Sequence, residues 1–148
     1  MCLMVDADCA VDAGWAVAHL AAQAAAPGIV CGVTRAAGCD DVLRFHDACG
    51  HLNPRVDRSS RRVVYGATCN MSVSLSRLHA LEGGHFFDVS FPGASYEDIE
   101  MCVRNLDAGV SITMCTAATA THQFCSPGKD PVDALVRCVS PYLSTKEK

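Results

Sequence analysis

The apolar positions near the start of the chain change from strand-like to helix-like spacing. Leu3–Val5 is a short apolar run, and from Val11 onward apolar residues recur at i, i+4, i+7 and i+11. This pattern predicts a strand that leads into an amphipathic helix, which ends at Pro27. Asp8 or Asp12 is expected near the first turn of that helix.

A buried strand and a second helix are predicted next. Residues 29–33 are apolar throughout apart from one glycine, as in a strand that is covered on both faces. A helix is predicted from Asp40 to about Leu52, with an acidic pair at its positively charged end. Residues 53–60 are polar, and we expect a loop there.

The second half follows a similar order. A strand at 62–65 leads through a turn of small residues to Cys69, and Met71, Leu75 and Leu78 are spaced as on one face of a helix. The order of strand, turn with a cysteine, and helix therefore matches that predicted for the beginning of the chain.

Four more elements complete the prediction. Residues 85–91 alternate between apolar and polar, which indicates a half-buried strand. Ser95–Asp98 has the form of a capping box and would begin a helix that buries Ile99, Cys102, Val103 and Leu106. Residues 110–114 alternate as another strand, and Asp130 and Pro131 would begin a last helix over 130–143.

Together these elements predict one domain over residues 1–148, of the α/β or α+β class, with a small mixed sheet and helices packed on it. The similar order in 1–60 and 61–120 suggests an internal duplication of a strand-helix-strand unit. Right-handed crossovers would bring the strands of both units into one sheet.

Composition narrows the function classes. The chain has 148 residues, of which 50% are hydrophobic, so it can bury a core without metals or disulfides. A net charge of -4 with scattered charges argues against nucleic-acid and membrane partners. The one local cluster of like charges consists of Arg55, Arg58, Arg61 and Arg62. Such a cluster is typical of a solvated loop.

Most of the ten cysteines are expected to be free thiols. Disulfide scaffolds are small and poor in core, whereas this chain is rich in apolar residues, and Cys31, Cys102 and Cys138 lie inside apolar periodic runs. The residues before Cys9 do not resemble a secretion signal, so we expect a cytoplasmic location.

Three cysteines lie where predicted strands end, namely Cys9, Cys69 and Cys115. After the first two a helix is predicted to begin, and the N–H groups and dipole of a helix start lower the pKa of a thiol. The plainer interpretation is that a cysteine is a small residue that fits a crowded junction.

Cys69 is the preferred nucleophile because a base is predicted nearby. His85 opens the strand that would return beside the Cys69 strand and would take the thiol proton. Asp88 is an odd number of residues from His85 and so faces the other side of a regular strand. His122 or Thr113 is therefore expected to be the third group.

The cysteine and histidine also carry a resemblance to a known family. The segments 66–69, 83–85 and 91–92 resemble the nucleophile and base spacing of chemoreceptor glutamine deamidases and the related Rho-activating deamidase toxins. The resemblance implies hydrolysis of a glutamine amide through a thioester. Thr68 stands where the family has serine or glycine, Val63 stands where it has threonine, and residues 1–60 have no counterpart.

A second resemblance involves carboxylates. Val5–Asp8 resembles the first motif of haloacid-dehalogenase-type phosphatases, with Thr34 and Asp40–Asp41 as later motifs. It implies an aspartate nucleophile and Mg²⁺. The family's lysine is missing between Thr34 and Asp40, and a pair of aspartates at a strand end is also typical of a helix N-cap.

A possible set of zinc ligands consists of Cys39, His46, Cys49 and His51. In a helix, Cys39 and His46 would be about 10 Å apart along the axis, too far to share one tetrahedral ion, so only an unwound segment would bind zinc. The glycines near residues 28–38 lack both the G-x-G-x-x-G and the Walker patterns, which excludes nucleotide binding by those motifs.

Three hypotheses follow. The first is a cysteine-dependent hydrolase or deamidase without a cofactor, in which Cys69, His85 and His122 act on an amide or acyl group of a protein or small molecule. The second is a noncatalytic binding or assembly module that a partner or a second copy completes. The third is a zinc-binding protein.

Overall fold

A computed structural model of the chain describes residues 1–37, 41–78, 86–88, 90–91 and 96–123, which adopt an α+β fold. The elements, in chain order, are β1 Cys2–Val5, β2 Cys9–Val11, α1 Trp15–Ala25, β3 Ile29–Ala36, α2 Asp41–Cys49, β4 Arg55–Val56, β5 Val63–Tyr65, β6 Asn70–Val73, α3 Leu75–Leu78, α4 Glu97–Asp107 and β7 Ile112–His122. No helix among these residues is both long enough and apolar enough to cross a membrane.

The main sheet is mixed and has the strand order β1-β6-β3-β7-β2. The central pair β3 and β7 is parallel, and the other neighbours are antiparallel. A second, two-stranded sheet consists of β4 and β5. The predicted mixed sheet with packed helices is therefore confirmed.

One face of the main sheet carries the apolar core. Residues of alternating positions in β3 and β6, such as Ile29, Cys31 and Met71, point to this face and pack against Met101 and Cys102 of α4. All five are at most 1% exposed. Because each fully buried aliphatic side chain contributes about 1.5–3 kcal/mol, this face accounts for much of the hydrophobic stabilisation.

The opposite face carries a buried polar network centred on Asn70. Its Oδ1 accepts from Trp15 Nε1 at 2.8 Å and from His19 Nε2 at 3.1 Å. Its Nδ2 donates to the carbonyls of Val33 and Ala118, each at 3.0 Å. Since carbonyls only accept, the amide orientation is fixed, and every polar atom of the Asn70 side chain is satisfied.

The same logic fixes the proton on His19. Gln23 accepts from the Gly28 N–H, so its Nε2 must donate to Ser72 Oγ. Ser72 then donates to His19 Nδ1 at 3.0 Å, and His19 Nε2 carries the proton that Asn70 accepts. Burial lowers the pKa of the His19 imidazole and so favours this neutral form, while the hydrogen bond with Asn70 opposes the shift.

The predicted helix after Cys69 begins later than expected. Asn70–Val73 is the strand β6, and Leu75–Leu78, the described residues that follow Ser74, are helical. Met71 and Val73 face the apolar core, whereas Asn70 and Ser72 enter the polar network under α1, so a period of two replaces the helical spacing. The proposed internal duplication of 1–60 and 61–120 stays a prediction.

Other predicted boundaries also change. Asp8 precedes the strand β2 rather than a helix, because α1 begins at Trp15 after Gly14. Residues 86–88 and 90–91 form bends, turns and irregular backbone instead of a strand. The helix α4 begins after Tyr96 without a side-chain cap.

The buried face of α4 and the loop predicted at 53–60 also differ from the prediction. Within α4, Met101 and Asn105 are buried and Val103 is 47% exposed, so the buried stripe differs from the predicted one. Part of the loop predicted at 53–60 is the strand β4. The predicted helix over 130–143 lies outside the described residues.

Candidate functional site

The Cys69 thiol does not lie at the start of a helix. It immediately precedes β6, is 2% exposed, and lies 3.7 Å from Thr34 Oγ1. Burial raises its pKa to about 12, and the nearby Cys9 and Asp6 act in the same direction, while the hydrogen bond with Thr34 opposes them. The helix-start effect on which the predicted nucleophile depends is therefore absent at Cys69.

The other two cysteines also occupy strands. Cys9 begins β2, and Cys115 lies within β7, where its Sγ is 3.7 Å from the Ala18 carbonyl. Burial raises the pKa of Cys9 to about 11, and the charges of Asp6 and Asp8 add to this rise. None of these three thiols lies at a helix N-terminus.

Cys9 meets His122 across the ladder between β2 and β7. The two residues are direct partners in this antiparallel register, and Asp8 lies next to Cys9 in the chain. The Asp8 Oδ1 atom is 3.4 Å from His122 Nε2. One ligand atom from each of Asp8, Cys9 and His122 lies within 4.8 Å of the other two.

Cys69 joins this group through Cys9. Its side chain lies near the Cys9 thiol, although β6 and β2 lie at different places in the sheet. Of the predicted catalytic residues, the structure thus brings Cys69 and His122 to one end of the sheet. His85 lies outside the described residues, and Thr113 pairs with Val30 within the sheet.

Carboxylates surround the same end of the sheet. Burial raises the pKa of Asp6, the charges of Asp8 and Glu97 raise it further, and His122 opposes this rise. Burial and the charge of Glu97 likewise raise the pKa of Asp98. Among the described residues, no lysine or arginine forms an ion pair with these four carboxylates.

This arrangement disfavours a resting thiolate and favours a cation. Negative charges that lie close together with little compensation raise one another's pKa, which is the direction found for Asp6 and Cys9. A bound divalent ion would reverse that balance, because it stabilises both a thiolate and carboxylates. Thiolate, imidazole and carboxylate are the usual protein ligands of zinc.

The other predicted sets are only partly described. Cys39 and the side chain of His46 lie outside the described part of the chain. Cys49 is the last residue of α2, His51 follows the helix, and both are exposed. Two such residues do not make a metal site by themselves, so this zinc set stays a prediction. Asp6, Asp8 and Thr34 lie at the end of the sheet where Cys69 lies, and the phosphatase interpretation also stays untested.

The pairing of Cys9 with His122 could not be found by spacing along the sequence. The two residues are brought together by the β2–β7 register, and the sequence pattern did not predict β2. The available signal was composition alone, since Asp-x-Asp-Cys follows a predicted strand. No protein-family model matches the chain, and no curated protein is significantly similar to it in sequence.

Proposed function

We propose that this protein binds a zinc-type divalent metal ion through Asp8, Cys9 and His122. The observation that carries the proposal is the convergence of one carboxylate oxygen, one sulfur and one imidazole nitrogen within 4.8 Å. Ligand atoms in a tetrahedral zinc site are roughly 3.3–3.8 Å apart. Side-chain rotations that move each ligand atom by about 1 Å would therefore complete the geometry.

The convergent shape favours a metal over a catalytic relay. In a relay of nucleophile, histidine and carboxylate, the outer two groups bind opposite nitrogens of the ring, so sulfur and carboxylate oxygen are roughly 7 Å apart. Here the Cys9 and Asp8 ligand atoms are within 4.8 Å of each other as well as of His122. Three ligand atoms that lie this close together are suited to an ion.

Charge and ligand chemistry favour the same assignment. Asp8 and a deprotonated Cys9 would neutralise a divalent ion, and Asp6 and Glu97 add negative potential nearby. Sulfur and imidazole ligands select zinc over magnesium and calcium, which prefer oxygen ligands. The Cys69 thiol lies near Cys9 and is the candidate for a fourth ligand, and four protein ligands are typical of structural zinc sites.

Metal titration of the full chain tests this proposal. The protein is stripped with a chelator under reducing conditions and titrated with Co²⁺, whose thiolate complexes absorb in the near ultraviolet, and then with Zn²⁺ against a chromogenic chelator. We expect one ion per chain and a thiolate band. Cys9→Ser and His122→Gln should each weaken binding at least about tenfold.

The matched control is the double variant Cys49→Ser/His51→Gln, which removes one thiol and one imidazole from the alternative zinc set. It should leave affinity unchanged. Absence of thiolate absorption on cobalt addition would overturn the proposal. So would loss of binding in the control double variant together with retention in Cys9→Ser.

A cysteine-dependent hydrolase or deamidase remains a second proposal, supported by the contact of His122 with both Asp8 and the Cys9 strand. Its nucleophile would be Cys9 or Cys69, and it would need a thiol that ionises near neutral pH. Iodoacetamide labelling of the metal-free chain across pH, read by mass spectrometry, tests it. One thiol that reacts fast at neutral pH supports the enzyme, whereas slow reaction at both thiols counts against it.

A further inference from the structure

The hairpin of β4 and β5 concentrates positive charge on an otherwise acidic chain. Residues 55–62 contain four of the 12 basic residues and one of the 16 acidic residues. The basic residues are all exposed and are Arg55, Arg58, Arg61 and Arg62. Within the part of the chain that the structure describes, none of their guanidinium groups forms an ion pair.

The acidic residue of the hairpin is already used by the turn. Asp57 accepts hydrogen bonds from Ser59 Oγ at 2.6 Å and from the Ser60 N–H at 2.7 Å. These bonds hold its pKa at about 2, so the carboxylate stays ionised but is directed into the loop. The turn is thereby ordered, and the arginines keep their capacity to bind another anion.

A groove of about 600 Å³ runs along β4, and two of the arginines line it. Its lining residues are Pro54, Arg55, Val56, Asp57, Arg58 and Val64. The surface therefore combines guanidinium groups with aliphatic side chains, and Val56 is 40% exposed. None of the six lining residues is aromatic, which disfavours single-stranded nucleic acid, because its bases bind by stacking on aromatic rings.

The groove also borders an open strand edge. The Asp57 N–H donates to the Arg62 carbonyl, and the Asp57 carbonyl accepts from the Arg61 N–H, so this residue faces β5. Successive residues of a strand direct their backbone groups to opposite edges, so those of Val56 face away from β5. Among the described strands, β4 pairs with β5 alone.

We propose that this groove binds an extended acidic peptide of a partner protein, which adds as a strand along β4. Its main chain would bond to the free backbone groups of Val56, and alternate carboxylates would bind Arg55 and Arg58. Charge complementarity selects the acidic peptide, and the open edge selects the extended conformation. This inference does not depend on the proposed metal site.

Fluorescence anisotropy with a labelled peptide of alternating Glu and Val tests the inference on the full chain. We expect saturable binding that weakens with salt. The double variant Arg55→Glu/Arg58→Glu should weaken it about tenfold or more. Arg35→Glu/Arg77→Glu, which makes the same change of net charge at two exposed positions elsewhere, should have little effect.

A backbone N-methylated peptide with the same side chains separates strand addition from simple charge attraction. We expect it not to bind, because it cannot donate main-chain hydrogen bonds. Equal binding of the methylated peptide, failure of the Glu-Val peptide to bind, or stronger competition by tripolyphosphate or an oligonucleotide than by unlabelled peptide would each overturn the inference.

Discussion

Cys9 and His122 are direct partners in the antiparallel ladder between β2 and β7. Side chains of such partners lie on the same face of a sheet, so a thiol and an imidazole meet although they are at opposite ends of the described chain. Asp8 reaches the same imidazole from the adjoining turn. Strand register is thus the physical origin of the proposed metal centre.

Zinc affinity should depend steeply on pH. The pKa of Cys9 is about 11 and that of Cys69 about 12, so each must release a proton on binding a metal at neutral pH. Affinity should therefore rise about tenfold per pH unit for each thiol that becomes a ligand. Measuring the zinc dissociation constant across the neutral pH range gives the number of thiols that bind the ion.

The variant Cys69→Ser distinguishes the two coordination modes. If both thiols are ligands, the number of protons released per bound ion should fall from about two to about one in this variant. An unchanged proton count would mean that Cys69 is not a ligand and would leave three protein ligands.

Two buried asparagines should differ in how much stability the same substitution costs. Asn70→Leu removes four hydrogen bonds and leaves Trp15 Nε1 and the Val33 and Ala118 carbonyls without this partner, so it should cost roughly 3–5 kcal/mol of unfolding free energy. Urea unfolding followed by circular dichroism measures this loss.

Asn105→Leu is the matched control. Asn105 is also fully buried, but its Oδ1 has no hydrogen-bond donor among the described residues. Replacing it with an apolar side chain of similar size should change stability by less than about 1 kcal/mol. Equal losses for the two variants would contradict the assigned network.

Acid should weaken the fold through His19. Its pKa is lowered in the folded state, so the unfolded chain binds this proton more readily. The resulting stability is fully present above the ordinary histidine pKa of about 6.5 and is lost as pH falls through the folded-state pKa. The difference in unfolding free energy between wild type and His19→Gln, measured against pH, isolates this contribution. A difference that stays constant between neutral and mildly acidic pH would refute it.

Gly32→Ala should be strongly destabilising because a Cβ at this position would overlap the Asn70 amide and the Ala118 carbonyl. We expect a loss of about 2–4 kcal/mol in urea unfolding. Gly109→Ala is the comparison. It has positive φ but no atoms near a Cβ, so it should cost only about 1 kcal/mol. Similar costs would mean that β3 moves away to make room.

Local pattern predicted much of the architecture correctly. The apolar run at 29–33 is part of the buried strand β3, and the periodic residues around Trp15 form α1. Mixed strand and helix periods along one apolar-rich chain indicated a mixed sheet with packed helices, which the described residues form. These features depend on spacing and composition, which can be evaluated within a short window.

The sequence could not decide the state of residues 70–73 or the grouping of the site. Met71, Leu75 and Leu78 fit a helix, but burial of Asn70 and Ser72 against polar side chains of α1 stabilises a strand. In the same way, β2 pairs with β7 and places Cys9 against His122. The sequence by itself shows which segments are apolar and how their apolar residues are spaced. Pairing across the sheet decides which polar groups are buried together, because hydrogen bonds between distant segments exist only once the chain has folded.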